Sequence, residues 1–207
     1  MEGNVLDAIG NTPLVPLAIT KGGQAEIYAK LEFLNPSGSI KDRMALYMAD
    51  VAEREGLLRP GATIVEATSG NTGISFAMLA ALRGYRMVAV MPEYMTEERR
   101  ALIRGYGAEI VLTPSQELCE GAARRADQMA AENPGWWLPG QFTNRTNVDA
   151  HRLTTGREII EQSKAKVDAF VAGIGTGGTL MGVAEALRAE DGRVHIVAVE
   201  PAESAVM

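Results

Sequence analysis

The sequence predicts an α/β protein built on doubly wound, mostly parallel sheets. Short β-rich runs alternate with longer runs of helical periodicity along most of the chain. The stretch between successive strand candidates is long enough for one crossover helix each time. Three glycine-rich turns, Pro36 to Ser39, Thr68 to Gly73 and Gly173 to Thr179, lie where a strand ends and a helix begins. Folds of this class bind their ligands at such places.

Each element follows from its own pattern. Ala25 to Phe33 alternates in polarity like a half-buried strand. Ile40, Met44, Tyr47, Val51 and Leu58 recur at helical spacing, so Ser39 to Leu58 reads as a helix that Arg59-Pro60-Gly61 stops. Ala62 to Ala67 is a buried-strand candidate, followed by a helix from Thr72 to Arg83 and a strand over Arg86 to Met91. Thr96 is the expected N-cap of the next helix, with Glu97 and Glu98 suited to its positive end. Gly105 and Gly107 close that helix, and Ala108 to Leu112 is a strand. Gln116 to Glu132 is helical up to Asn133-Pro134-Gly135, and Trp136 to Asn147 is irregular and a candidate hinge. A helix over Val148 to Ser163, a strand over Ala169 to Ile174, a helix over Thr179 to Ala189 and a strand over Val194 to Val199 complete the reading.

Composition excludes several classes. The 207 residues are 46% hydrophobic and 22% charged, which is a folding composition. Twenty Lys and Arg against 26 Asp and Glu leave a formal charge of −6, so no basic face for nucleic acid is expected. The most apolar stretch, Phe76 to Leu82, is seven residues, whereas a membrane-spanning helix needs roughly 20. The single cysteine, Cys119, cannot form an internal disulfide, and Met1 to Gly10 has no signal-peptide pattern. A cytoplasmic protein is the expectation. His151 and His195 stand in no metal-ligand pattern and read as structural, and no metal site is expected.

The three turns carry the candidate chemistry. Lys41, one of five lysines, sits just inside a helix start in Ser37-Gly38-Ser39-Ile40-Lys41-Asp42-Arg43. An ordinary lysine is uncharged in about one molecule in 2,500 at pH 7. The helix end and Arg43 would disfavour the ammonium and help Lys41 act as a Schiff-base nucleophile. A solvated first-turn charge is the bland alternative. In Thr68-Ser69-Gly70-Asn71-Thr72-Gly73, hydroxyls and helix-start N–H groups could hold a carboxylate or phosphate; a plain capped helix is the alternative. Gly173-Ile174-Gly175-Thr176-Gly177-Gly178-Thr179 has the makings of an anion cradle. It also matches G-x-G-x-x-G, with Glu200 about 20 residues on, so a dinucleotide-binding oxidoreductase is a rival reading.

Taken together these motifs are more specific. Asn11-Thr12-Pro13-Leu14, SGSIKDR at 37–43, TSGNTG at 68–73, Gln141-Phe142, Thr154-Thr155-Gly156 and GTGGT at 175–179 resemble one family. It is the cysteine synthase (O-acetylserine sulfhydrylase) and cystathionine β-synthase family of pyridoxal-phosphate enzymes, fold type II. The resemblance implies two αβα domains of the tryptophan-synthase-β type: a smaller one over residues 35–145, and a larger, cofactor-binding one over 1–34 plus 146–207. It implies that Lys41 holds pyridoxal 5'-phosphate and moves the α-proton, and that Asn71 bonds the ring hydroxyl. Gly175, Thr176, Gly177, Gly178 and Thr179 would bind the phosphate. Thr68, Ser69, Gly70, Thr72 and Gln141 would hold the substrate α-carboxylate.

The implied reaction is a transferase β-replacement: an activated serine, O-acetylserine, reacts with sulfide through an aminoacrylate to give cysteine. The resemblance also implies a homodimer with small-molecule partners only. Arg145 and Val148 stand where the family commonly has prolines, which points to Arg145 as a border of the substrate entrance. Family members continue past a segment like Glu200 to Met207, so the larger domain is expected to lack its C-terminal part, including the contact to the pyridine nitrogen. Another β-replacement or cystathionine β-synthase-like enzyme is one alternative, and a non-catalytic truncated paralogue is the further one.

Overall fold

A computed structural model describes residues 3–18 and 25–204. Lys21 and the last three residues lie outside the described part.

Strands β3 (Thr63–Ala67), β4 (Arg86–Pro92) and β5 (Glu109–Thr113) form a parallel sheet in that order. Val65 pairs with Val88, and Val90 with Val111. All five residues of β3 are buried, as expected for a strand covered on both faces. On one face Ile64, Met87, Ala89 and Met91 pack with residues of helices α1 (Lys41–Arg54), α2 (Asn71–Arg83) and α3 (Glu97–Gly105). On the other, Val65, Val88 and Val90 meet Ala122, Ala126 and Met129 of α4 (Leu118–Glu132). This is the doubly wound arrangement the alternation predicts.

Trp137 extends the sheet beyond β3: its carbonyl accepts from Val65 N, its N–H donates to Thr63 O, and its ring meets Phe76 edge-on at 5.9 Å. The irregular segment after it is thereby pinned beside the end of β3.

A second parallel pair, β6 (Ala169–Gly173) with β7 (His195–Val199), packs on α6 (Thr155–Ser163) and α7 (Gly178–Glu190) through Ile159, Val183, Leu187 and Val194. Helix α5 (Thr146–Leu153) packs against both α1 and α7, so it stands between the lysine-bearing turn and the last glycine turn. No helix among the described residues is long and apolar enough to cross a membrane.

Three local differences from the sequence expectation have physical causes. The strand over 25–33 shortens to β2 (Tyr28–Lys30), which pairs antiparallel with β1 (Leu14–Pro16) and then gives way to a 3-10 turn, Glu32–Leu34. That turn lets Glu32 face Arg43 rather than continue a ladder. The helix expected over 148–163 breaks at Thr154, whose φ and ψ are −119° and −79°. The break seats Gly156 against α7, where a Cβ would stand 2.5 Å from the Ala186 Cβ. Thr96 takes the N-cap position of α3, but its hydroxyl makes no capping bond.

Candidate active site

The turn that opens α1 gives three adjacent residues three different settings. Asp42 is fully buried and accepts from Ser37 N at 2.7 Å, from the Ser37 hydroxyl, and from Ser75 Oγ of α2 at 2.6 Å. Arg43 is also buried. Its Nε donates to Glu32 Oε2 at 2.7 Å, its Nη1 to Glu158 Oε1 at 2.6 Å and its Nη2 to Glu158 Oε2 at 2.8 Å. Glu158 also receives Lys30 Nζ at 2.5 Å and Asn11 N at 2.9 Å. Burial works to raise the Glu158 pKa, but the bonds from Arg43, Lys30 and Asn11 N–H outweigh it and hold the carboxyl at about 2.

Lys41, between these anchored residues and Ser39, is half-buried, and no hydrogen bond or ion pair engages its side chain among the described residues. Burial lowers its pKa. Arg43 does not contribute to this shift; desolvation does what the sequence reading assigns to the helix end and a neighbouring cation.

The second turn is tied inward. Thr68 Oγ1 is buried and accepts from Gly70 N at 3.0 Å and Gly73 N at 2.9 Å. Gly70 has φ +154°, and a Cβ there would meet Arg99 Cδ at 2.6 Å; Arg99 Nη1 donates to Ser69 O at 3.0 Å. Arg99 of α3 therefore lies over the turn. Thr72 Oγ1 donates to Gln141 Oε1 at 2.6 Å, and Gln141 Nε2 donates to Ala67 O at 2.8 Å. Ser69 and Asn71 are exposed, and their side chains have no hydrogen-bond partner among the described residues.

The third turn is open. Gly177, with φ +80°, is the N-cap of α7. The N–H groups of Gly175, Thr176, Gly177 and Thr179 donate to nothing among the described residues, and nothing lies within 4 Å of a Cβ built on Gly175 or Gly177. Free N–H donors at a helix start, with space in front of them, suit an anion.

Two buried side chains join these turns. Asn147 Nδ2 donates to Gln141 O and to Thr176 Oγ1, both at 2.9 Å. His151 is fully buried, with Nδ1 3.0 Å from Thr155 Oγ1 and Nε2 3.3 Å from Thr179 Oγ1. Burial first, then the charges of Lys41 and Arg43, push the His151 pKa down to about 3, so the ring is neutral at pH 7. His151 thus links α5, which packs on the lysine-bearing α1, to Thr179 of the third turn.

The sequence reading takes His151 as structural, and here it is buried between Thr155 and Thr179; that reading missed Asn147 and Glu66. Asn147 looks in sequence like one more helix-start asparagine. Glu66 is buried in β3 and accepts from Gly140 N at 2.8 Å, so it holds the residue before Gln141. Burial raises its pKa to about 8, against the opposing pull of backbone N–H groups from Gly140, Gln141 and Ala67. A charged residue in an apolar strand run was the available signal. Arg145 pairs with Glu185 and, at 3.7 Å, with Asp149, so it is engaged along α5 and α7. Among the described residues no cluster of three His, Cys, Asp or Glu could hold a metal ion.

Comparison with known proteins gives a consistent result. The family model described as pyridoxal-phosphate dependent enzyme matches residues 5–207. A cysteine synthase of Staphylococcus aureus (strain N315) is 50% identical over 206 residues, which are 99% of this chain and 66% of that protein. The crystal structure of an O-ureido-L-serine synthase superposes with a TM-score of 0.92 at 46% identity, covering 99% of this chain and 65% of that one. A hydrogen sulfide-producing enzyme of Fusobacterium nucleatum superposes with a TM-score of 0.95 at 41% identity, covering 100% and 69%.

Proposed function

Because the chain belongs to the pyridoxal-phosphate dependent enzymes, we propose that it serves β-replacement on an activated serine, O-acetylserine, with sulfide as the nucleophile and cysteine as the product. The chain spans 66% of the length of the curated relative it matches, so this activity is proposed for the protein as a whole. The observation that carries the reading is Lys41, half-buried and without a side-chain partner among the described residues, on a helix packed against α5, whose His151 meets Thr179 of a turn of free N–H donors.

The residues fit the cofactor. Gly175 to Thr179 would take its phosphate on backbone N–H groups and the Thr176 and Thr179 hydroxyls. Lys41 would be its covalent anchor, and Asn71 would bond the ring hydroxyl through an amide that no other described residue engages. Once bound, pyridoxal phosphate supplies the sink for the electron pair left at the substrate α-carbon. Lys41 then accepts the α-proton on Nζ, a task its burial favours by disfavouring the ammonium. Thr68, Ser69, Gly70, Thr72 and Gln141 would fix the substrate carboxylate and so the direction of the α C–H bond. His151 stays neutral and keeps a second positive charge away from Lys41.

We take residues 35–145 as the smaller domain and 1–34 with 146–207 as the larger. One parallel sheet falls in each, and Arg43–Glu158 crosses between them. We further take the protein as a cytoplasmic homodimer, which sedimentation of the purified protein tests.

Borohydride reduction of the cofactor-loaded protein, followed by peptide mapping, tests the assignment. The adduct is expected on Lys41 and is lost in Lys41→Ala; an adduct on Lys30 would overturn the reading. A second reading keeps this chemistry and changes the nucleophile. It is favoured by the 46% identity to an O-ureido-L-serine synthase, and a panel of nucleophiles with product analysis separates the two.

A further inference from the structure

Asn147 belongs to the first turn of α5 and is 2% exposed. Both hydrogens of its amide are used, one on Gln141 O and one on Thr176 Oγ1. Its Oδ1 is buried with no hydrogen-bond partner and lies where a Cβ on Gly178 would stand 2.2 Å away. The orientation of the amide follows from its partners. Turning it over would set its oxygen against the Gln141 carbonyl, two acceptors face to face.

This orientation has a consequence for Thr176. Its Oγ1 accepts from Asn147 Nδ2 at 2.9 Å and from Gly178 N at 3.4 Å. With its lone pairs engaged, the hydroxyl hydrogen is left to point away from both donors. It makes no hydrogen bond to any described residue. The space before Gly175 and Gly177 lies next to it and is open.

We propose that Asn147 is a positioning residue: it fixes the Thr176 hydroxyl as a donor toward the cofactor phosphate, and it ties that donor to the backbone of Gln141 on the carboxylate side of the site. The inference rests on the cradle reading above and adds a residue to it that touches neither cofactor nor substrate. The same amide thus sets the spacing between the two ends of the site. Asparagine is suited to the post because it presents two N–H donors from one plane; aspartate would present none and would draw the Thr176 hydrogen toward itself.

The test compares pyridoxal phosphate with pyridoxal, which lacks the phosphate, by absorbance titration of the cofactor-free protein. In Asn147→Ala, binding of pyridoxal phosphate is expected to weaken about tenfold, the scale of one lost bond to a charged group, while pyridoxal binding stays unchanged. Thr176→Val is expected to show the same selective loss, and the double variant to be no weaker than Thr176→Val alone, because the two residues act through one hydroxyl. Asn147→Asp is expected to lose more than Asn147→Ala. Equal losses for both ligands, additive losses in the double variant, or a silent Thr176→Val would overturn the proposal. Thr176→Val carries the test by itself if Asn147→Ala does not fold. Wild-type protein that failed to hold pyridoxal phosphate would overturn the cradle reading and this proposal with it. Tight wild-type binding left unchanged in Asn147→Ala would overturn this proposal only.

Discussion

The turns at 68–73 and 175–179 are both rich in glycine and threonine, and both open a helix after a parallel strand. In the first, a threonine hydroxyl caps two N–H groups, and an arginine lies across the backbone. In the second, four N–H groups face space. The difference lies in where the donors are used. A turn that satisfies its own backbone is stiff and offers hydroxyls and amides at its rim; one that leaves donors free is ready for an anion. Composition does not distinguish them, and neighbours do.

Gly178→Ala should give the largest effect on either turn. The new Cβ would meet Asn147 Oδ1 at 2.2 Å, and Asn147 is held from two sides. A loss of about 3 kcal/mol is expected in denaturant unfolding, at the upper end for overpacking. Gly175→Ala, where nothing lies within 4 Å, should leave unfolding unchanged. If both variants unfolded alike, the space before Gly175 would be no more open than the packed side of Gly178.

Thr68→Val should come next. It keeps the shape and removes the acceptor for two buried N–H groups, at a cost of about 1–3 kcal/mol. Thr68→Ser should recover most of that in the same assay. A silent Thr68→Val would mean that the first turn does not depend on its own cap.

The smallest effect separates the turns by pH. Beneath the first turn Glu66 has its pKa raised to about 8 from 4.5. The folded state holds that proton longer than the unfolded chain, so the Glu66 contribution is full below about pH 4.5 and is lost as pH rises toward 8. His151, beside the turn at 175–179, is depressed from 6.5 to about 3. Its contribution is full above about pH 6.5 and is lost only on acidification. Between pH 6.5 and 8 denaturant unfolding should therefore show stability falling as Glu66 ionises, while His151 adds no pH dependence there. Glu66→Gln should abolish that trend.

Much of this was legible in the chain itself. The strand over 63–67 is a short apolar run between turn signals, and Lys41 stands at a helix start within a motif of capping residues. What local pattern could not supply was partnership across distance. The break at Thr154 exists because Gly156 must approach Ala186, 30 positions away, and helical periodicity carries no sign of that. Asn147 reads as a helix-start residue until Thr176 is placed next to it. Lys41 owes its lowered pKa to burial and not to Arg43, whose guanidinium bonds Glu32 and Glu158; charge spacing in a sequence does not reveal burial.

The Arg43 guanidinium gathers Thr12, Glu32 and Glu158, the last of them 115 positions downstream. During synthesis, therefore, the network behind Lys41 stays unmade until more than three quarters of these residues have been translated. Long-range closures of this kind form late in folding. An immature polypeptide would carry Lys41 as an ordinary solvated cation, and the desolvation that lowers its pKa would come into being with the tertiary structure.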